Sequence, residues 1–296
     1  MRVPVTLARE WTRLGDFVAD DGSTRAVSLV RLGLPLIVWT EWADQFLLFR
    51  DFRPVVALIG LSTLLSTTLL FAGWFSRIAA LWTAVSIGAV LGVLGHSLGG
   101  DFLHHHTQML MITAGLLALT PCGGSYSVDR WLALRRAARA GLSVPEERGP
   151  LWAQRLLGVH VSTIYLWSAY QKCSLAFLSG RSLQHLYLYY YGGAELPSWP
   201  FPIATALAAW ITVALEVFLG VGLWFARTRP AAIVAGIVFH LALFYTLPVA
   251  TFSVQMILLY LVFLDPARLH AFIDAMQAIN TKGPYFEGPS GRRGEI

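Results

Sequence analysis

The chain has 296 residues, of which 56% are hydrophobic and 13% charged, a composition that would leave a water-soluble globule with far too much apolar surface to cover. Lysine and arginine number 22 against 17 acids, and in a membrane chain the resulting net charge of +5 reports on topology, not on nucleic acid. A soluble enzyme and a nucleic-acid-binding module are therefore set aside.

Residues 1–25 precede the first apolar stretch. Met1 to Asp21 carries alternating charges and lacks the apolar core of a signal peptide, so the first span is expected to act as the insertion signal. The Trp11, Leu14 and Phe17 spacing suits a short amphipathic helix on the inner membrane surface or, equally, a frayed tail. Eight apolar stretches follow: Ala26 to Phe46, Val55 to Phe75, Ile78 to Gly95, Thr107 to Thr120, Leu156 to Leu175, Ile203 to Phe225, Ala231 to Leu247 and Phe252 to Leu264. The pattern predicts an all-α, polytopic transmembrane bundle over 26–270, with 271–296 as a tail.

Cationic residues collect on one side of these stretches. Arg13, Arg25, Arg77, the group from Arg130 to Arg148, Arg227, Arg229 and Arg268 lie there, whereas Arg50, Arg53 and Arg181 lie opposite. Retention of positive charge in the cytoplasm then predicts eight crossings of the cell membrane with both termini cytoplasmic. Cys122 and Cys173 fall at opposite ends of their spans and are not expected to pair.

The longest cytoplasmic link, Pro121 to Trp152, reads as a capped basic amphipathic helix, from Ser127 and Asp129 followed by Trp131, Leu132 and Leu134 among arginines. On the other side, Phe177 to Pro202 is rich in tyrosine and tryptophan, which suits headgroup depth or the mouth of a cavity. Its Gly192, Gly193 and Pro197 argue against one long straight helix.

Chemistry is best sought among ionisable residues inside the spans, each costing roughly 2.5–3.5 kcal/mol on insertion scales unless paired or hydrated. These are Arg31, Glu41 and Asp44, His96, His104 to His106, His160 and Lys172, Glu216, and His240. On the expected topology Glu41, Asp44, the histidines from His96 to His106 and Lys172 share the outer third, with Glu216 and His240 nearer the middle. That common depth suggests a cavity opened to the exterior.

Tyr165, Ser168 and Lys172, spaced three and four apart, occupy one helical face and form a polar stripe. Lys172 is either a desolvated general base or a side chain snorkelling to the headgroups. Successive histidines point about 100° apart on a helix, so His104 to His106 cannot all face one metal ion, and no metal is expected. Glu216 needs a partner or a proton, and Arg31 is one candidate partner. His240 reads as an imidazole bonded across helices.

The run R-L-L-G-V-H-V-S-T-I-Y-L-W-S-A-Y-Q-K (Arg155 to Lys172), followed by F-L-S-G-R-S-L (Phe177 to Leu183), resembles the fifth-span signature of the horizontally transferred transmembrane domain family, which contains the vitamin K-dependent gamma-carboxylases. V-R-L-G-L (Val30 to Leu34), H-H-H-T-Q-M-L from His104, L-E-V-F-L (Leu215 to Leu219) and F-H-L-A-L-F followed by F-S-V-Q-M (Phe239 to Met256) agree in order and spacing.

The resemblance implies a membrane site in which a lysine, matched by Lys172, acts as base toward a reduced quinone of the vitamin K or menaquinol type, whose oxygenation supplies a stronger base for carboxylation. His106 matches a histidine that orients the reacting groups, and His240 a later histidine. Tyr165, Ser168, Glu216 and His240 are then the expected cofactor-binding residues. The chain departs from the pattern where His104 and His105 replace Asn-Asn, Gln171 replaces a lysine and Phe177 stands for a tryptophan. Alternatives are a maturation factor acting on a secreted toxin peptide, or a lipid- or quinone-binding protein without a reaction.

Overall fold

The computed structural model describes residues 19–47, 53–95, 105–191 and 199–281, with side chains placed except at 47 and 277–281. The Trp11 to Phe17 segment, His96, His104, Gly192, Gly193, Pro197 and the end of the tail lie outside them.

Helix α1, Arg25–Leu47, is followed by α2, Pro54–Ala72, and α3, Ser76–Ala89, which runs on through a π-helical stretch, Val90–Gly95. Helix α4, His105–Leu119, packs extensively on α3. Small residues allow this: α3 buries Ala79, Ala80, Thr83 and Ala84, and a Cβ built on Gly115 of α4 would stand 3.8 Å from Ala84 Cβ, so the two backbones can approach closely, as apolar surroundings favour for helix association. The basic helix α5, Val128–Ala140, forms as the sequence predicts, with Ser127 Oγ accepting the Arg130 N–H at 2.9 Å.

Helix α6, Trp152–Lys172, buries Ala153, Leu157, Val161, Tyr165 and Ala169, a single stripe at helical spacing. The tyrosine-rich segment breaks into two short helices, α7, Leu175–Leu178, and α8, Arg181–Tyr191. Then come α9, Phe201–Gly222, α10, Arg229–Thr246, α11, Ala250–Leu259, with a 3-10 turn at Tyr260–Phe263, and α12, Pro266–Thr281. Helix α11 touches α1, α4, α6 and α10 and so occupies the centre of the bundle. One feature was not expected in an all-α chain: β1, Asp21–Ser23, pairs antiparallel with β2, Arg148–Pro150.

Five helices are long and apolar enough to cross a membrane, namely α1, α2, α3 with its π-helical extension, α9 and α10. A sixth arises if α11 and α12, bent by 104°, are one broken span. The eight crossings expected from the sequence also need α4 and α6, which this count leaves out: the described part of α4 is 15 residues, about 22 Å at 1.5 Å per residue against a ~30 Å hydrocarbon core. Helix α6 has the length but carries Gln154, His160, Ser162, Ser168 and Gln171, which lower its hydropathy, while Leu156, Val159, Leu166 and Trp167 form an exposed apolar side. The sharp bend has a local cause: Asp265 Oδ1 accepts the N–H groups of Ala267 and Arg268, both at 3.0 Å, and Pro266 starts the new helix. Helix α12 thus continues through residue 270, where the sequence suggests that the tail begins.

Arg31 neither snorkels nor pairs with Glu216. Fully buried, it donates to Leu70 O (2.6 Å) and Phe71 O (2.7 Å) at the end of α2, and to Cys122 O (3.0 Å) and Tyr126 O (2.6 Å) after α4. One guanidinium therefore ties the carbonyl end of α2 to the loop between α4 and α5. Gly73 sits against it at φ +68°, where an added Cβ would stand 2.7 Å from Arg31 Nη1.

Candidate functional site

Helices α6 and α9 run antiparallel in a register fixed by three contacts. Trp224 Nε1 donates to Ser162 Oγ at 2.7 Å, Gly220 lies under Leu166, and Ser168 Oγ donates to Glu216 Oε1 at 3.0 Å. Helix α6 stops at Lys172, but α9 runs on, its first half packing against α7 and α8. There Gln184 Nε2 donates to Thr205 Oγ1 at 2.9 Å, and Tyr187 meets Phe201 with ring centroids 4.9 Å apart. Gly180, at φ +82°, allows this approach, since a Cβ would lie 2.6 Å from the Ala206 nitrogen.

The overhang corrects the expected depths. Glu216 does not lie deeper than Lys172, because Lys172 Nζ donates to Glu216 Oε1 at 2.6 Å and also to Ser168 Oγ. The Phe177 ring centroid is 5.9 Å from the same nitrogen. The lysine side chain is 28% exposed and the glutamate 5%, so the amine turns inward from the edge of the bundle instead of reaching for headgroups. Glu216 Oε2 is buried without a hydrogen-bond partner among the described residues.

One turn further along α6, Tyr165 OH lies 2.7 Å from His240 Nε2 and also bonds the Tyr260 hydroxyl. The imidazole is fully buried, packed on Phe239 and Phe252, and its Nδ1 has no partner among the described residues. His240 is thus the cross-helix imidazole that the sequence suggests. Tyr260 was not singled out, for it sits in an apolar run with no periodic signal.

At the start of α4, His105 is exposed whereas His106 turns inward, with Nε2 3.1 Å from Glu41 Oε1 on α1. Thr251 Oγ1 of α11 donates to Glu41 Oε2. One turn later on that face, Gln255 Nε2 donates to Thr113 Oγ1 of α4 at 3.2 Å. Thr251 and Gln255 are legible as an i, i+4 pair, although only Gln255 falls in a recognised motif. His160 is half-buried on α6, away from these contacts, and its Nε2 has no partner among the described residues. Cys122 and Cys173 are free thiols, the first buried and the second exposed.

Long apolar helices around a lysine–carboxylate pair and a buried tyrosine–histidine line define a multi-pass membrane protein with a polar interior. A family model described as the HTTM domain matches residues 39–267, and the chain belongs to that family, a membrane domain family of carboxylase-like proteins. Neither a curated protein nor a solved structure matches the chain significantly.

Proposed function

We propose that this protein is a membrane-embedded enzyme in which Lys172 moves protons to and from a reduced quinone, in carboxylase-type chemistry within a cavity open to the extracytoplasmic side. Both termini lie in the cytoplasm on this reading. The observation that carries it is the buried, unpartnered Glu216 Oε2 beside Lys172, together with the unpartnered His240 Nδ1. Buried polar atoms are normally satisfied, and these two unpartnered ones, on groups held from one face of α6, supply an acceptor and an imidazole nitrogen to a polar ligand.

A reduced quinone fits that donor set, since each of its ring oxygens both donates and accepts. When bound, it supplies reducing electrons and hydroxyl protons. Tyr165, Ser168, Glu216 and His240 would hold it. Lys172 Nζ and Glu216 Oε1 stand 2.6 Å apart, and moving a proton from Nζ to Oε1 would leave a neutral amine and a carboxylic acid. The pair's net charge does not change, so an amine able to accept a proton appears without an uncompensated ion in apolar surroundings. Ser168 bonds both partners and fixes their geometry. His106, braced by Glu41 and Thr251, would orient reacting groups.

Mass spectrometry of lipids that copurify with the intact protein tests the ligand class. A quinone retained by the wild type and depleted in Glu216→Gln is expected; phospholipid alone in both would overturn the reading.

A further inference from the structure

The protons along Tyr260, Tyr165 and His240 can be assigned by counting. Two contacts need two donated protons, and each phenol has one. If the imidazole carries its proton on Nε2, that N–H donates to Tyr165, Tyr165 donates to Tyr260, and the Tyr260 proton needs a further acceptor. Tyr260 has no second hydrogen-bond partner among the described residues. Two buried groups are then unserved, the Tyr260 hydroxyl proton and the Nδ1 lone pair. If Nε2 accepts instead, Tyr260 donates to Tyr165, Tyr165 donates to Nε2, and the imidazole proton stands on Nδ1. Only that N–H is then unserved, and the arrangement with fewer buried orphans is favoured.

We propose that Tyr165 and Tyr260 fix His240 as the Nδ1–H tautomer, and that this N–H and Glu216 Oε2 form a donor-and-acceptor pair for an aromatic ligand with two oxygen substituents. One ligand hydroxyl donates to Glu216 Oε2, and the other oxygen accepts from His240 Nδ1. Both groups are held from one face of α6, Glu216 by Ser168 and His240 by Tyr165, three residues apart. Tyr165 and Tyr260 are positioning residues in this scheme, since they act on the ligand through the imidazole. The ligand class rests on the quinone reading above, whereas the tautomer rests on the hydrogen-bond geometry alone.

The test uses the full chain in lipid nanodiscs with 15N-labelled histidine, and the His240 resonances are assigned by their loss in His240→Asn. A neutral ring protonated at Nδ1 is expected for the wild type, with Tyr165→Phe giving a mixture of tautomers. A wild-type His240 ring protonated at Nε2 would overturn the proposal.

Binding of a reduced 1,4-naphthoquinone is the second readout. An asparagine amide nitrogen falls where Nδ1 does, and a glutamine amide nitrogen where Nε2 does. His240→Asn should therefore bind within about threefold of wild type and His240→Gln about tenfold more weakly, the worth of one hydrogen bond. The reverse order would contradict the donor assignment. Nδ1 protonation with no naphthoquinol binding to the wild type would sink the quinone reading and leave the tautomer assignment in place.

Discussion

At the scale of single residues, the ion pair of Lys172 with Glu216 has asymmetric energetics. Removing one member leaves a charge with no counter-ion, whereas removing both leaves an apolar contact. Because the lysine side chain is 28% exposed, Glu216→Ala should destabilise by less than the usual cost of a broken buried pair, at about 2–3 kcal/mol. The double variant Lys172→Met, Glu216→Leu should recover most of that loss in detergent-solubilised unfolding. Additive losses in the double variant would mean that the two side chains are not coupled.

The stripe of Tyr165, Ser168 and Lys172 was legible from helical spacing, since all three bond across to neighbouring helices from one face. Glu216 as the partner of Lys172 was not. Counting inward from span ends treats every helix as crossing the same slab, and α9 overhangs α6 by roughly half its length. Tyr260 was invisible for another reason: a tyrosine inside an apolar run gives no sign of which way its hydroxyl faces.

At the scale of elements, α6 decides where the candidate site faces. It begins at Trp152, beside the arginine-rich link, and ends at Lys172. Cys173 follows, exposed, whereas Cys122 at the arginine-rich end is buried. The proposed orientation makes the exposed Cys173 thiol a native topology probe, with the buried Cys122 as an unreactive background. A membrane-impermeant maleimide applied to intact cells should label Cys173 and spare Cys122. Labelling of Cys173 only after the cells are opened would invert the bundle.

Long uniform elements such as α2 and α9 were readable because twenty or so apolar residues leave no competing interpretation. The shorter α4 and α11 are expected as spans from their hydrophobicity, and part of that apolar surface, Leu110, Leu117, Met256 and Leu259 among it, is buried in the core of the bundle. The turn at Asp265 and Pro266 carried a recognisable cap and helix start, but the end of the apolar run overshadowed it.

At the scale of the molecule, the polar groups that a bilayer penalises most are gathered inside. Arg31 ties the end of α2 to the loop after α4, and Glu41 links α1, α4 and α11 through His106 and Thr251. Lys172, Glu216, Tyr165, His240 and Tyr260 draw α6, α9, α10 and the end of α11 together. Four of the five Arg31 N–H donors go to backbone carbonyls, and the residue reads as structural. The lysine–glutamate pair and His240 retain unused hydrogen-bonding capacity, which is where a reacting molecule would sit.

The most direct measurement is the rate at which purified, reconstituted protein consumes a reduced naphthoquinone in the presence of oxygen and bicarbonate, wild type against Lys172→Met at equal amounts of folded protein. Consumption by the wild type, lost at least a hundredfold when the amine is removed, is the expected result, since general-base catalysis is worth about 10²–10⁴. Equal rates for the two proteins would contradict a catalytic role for Lys172.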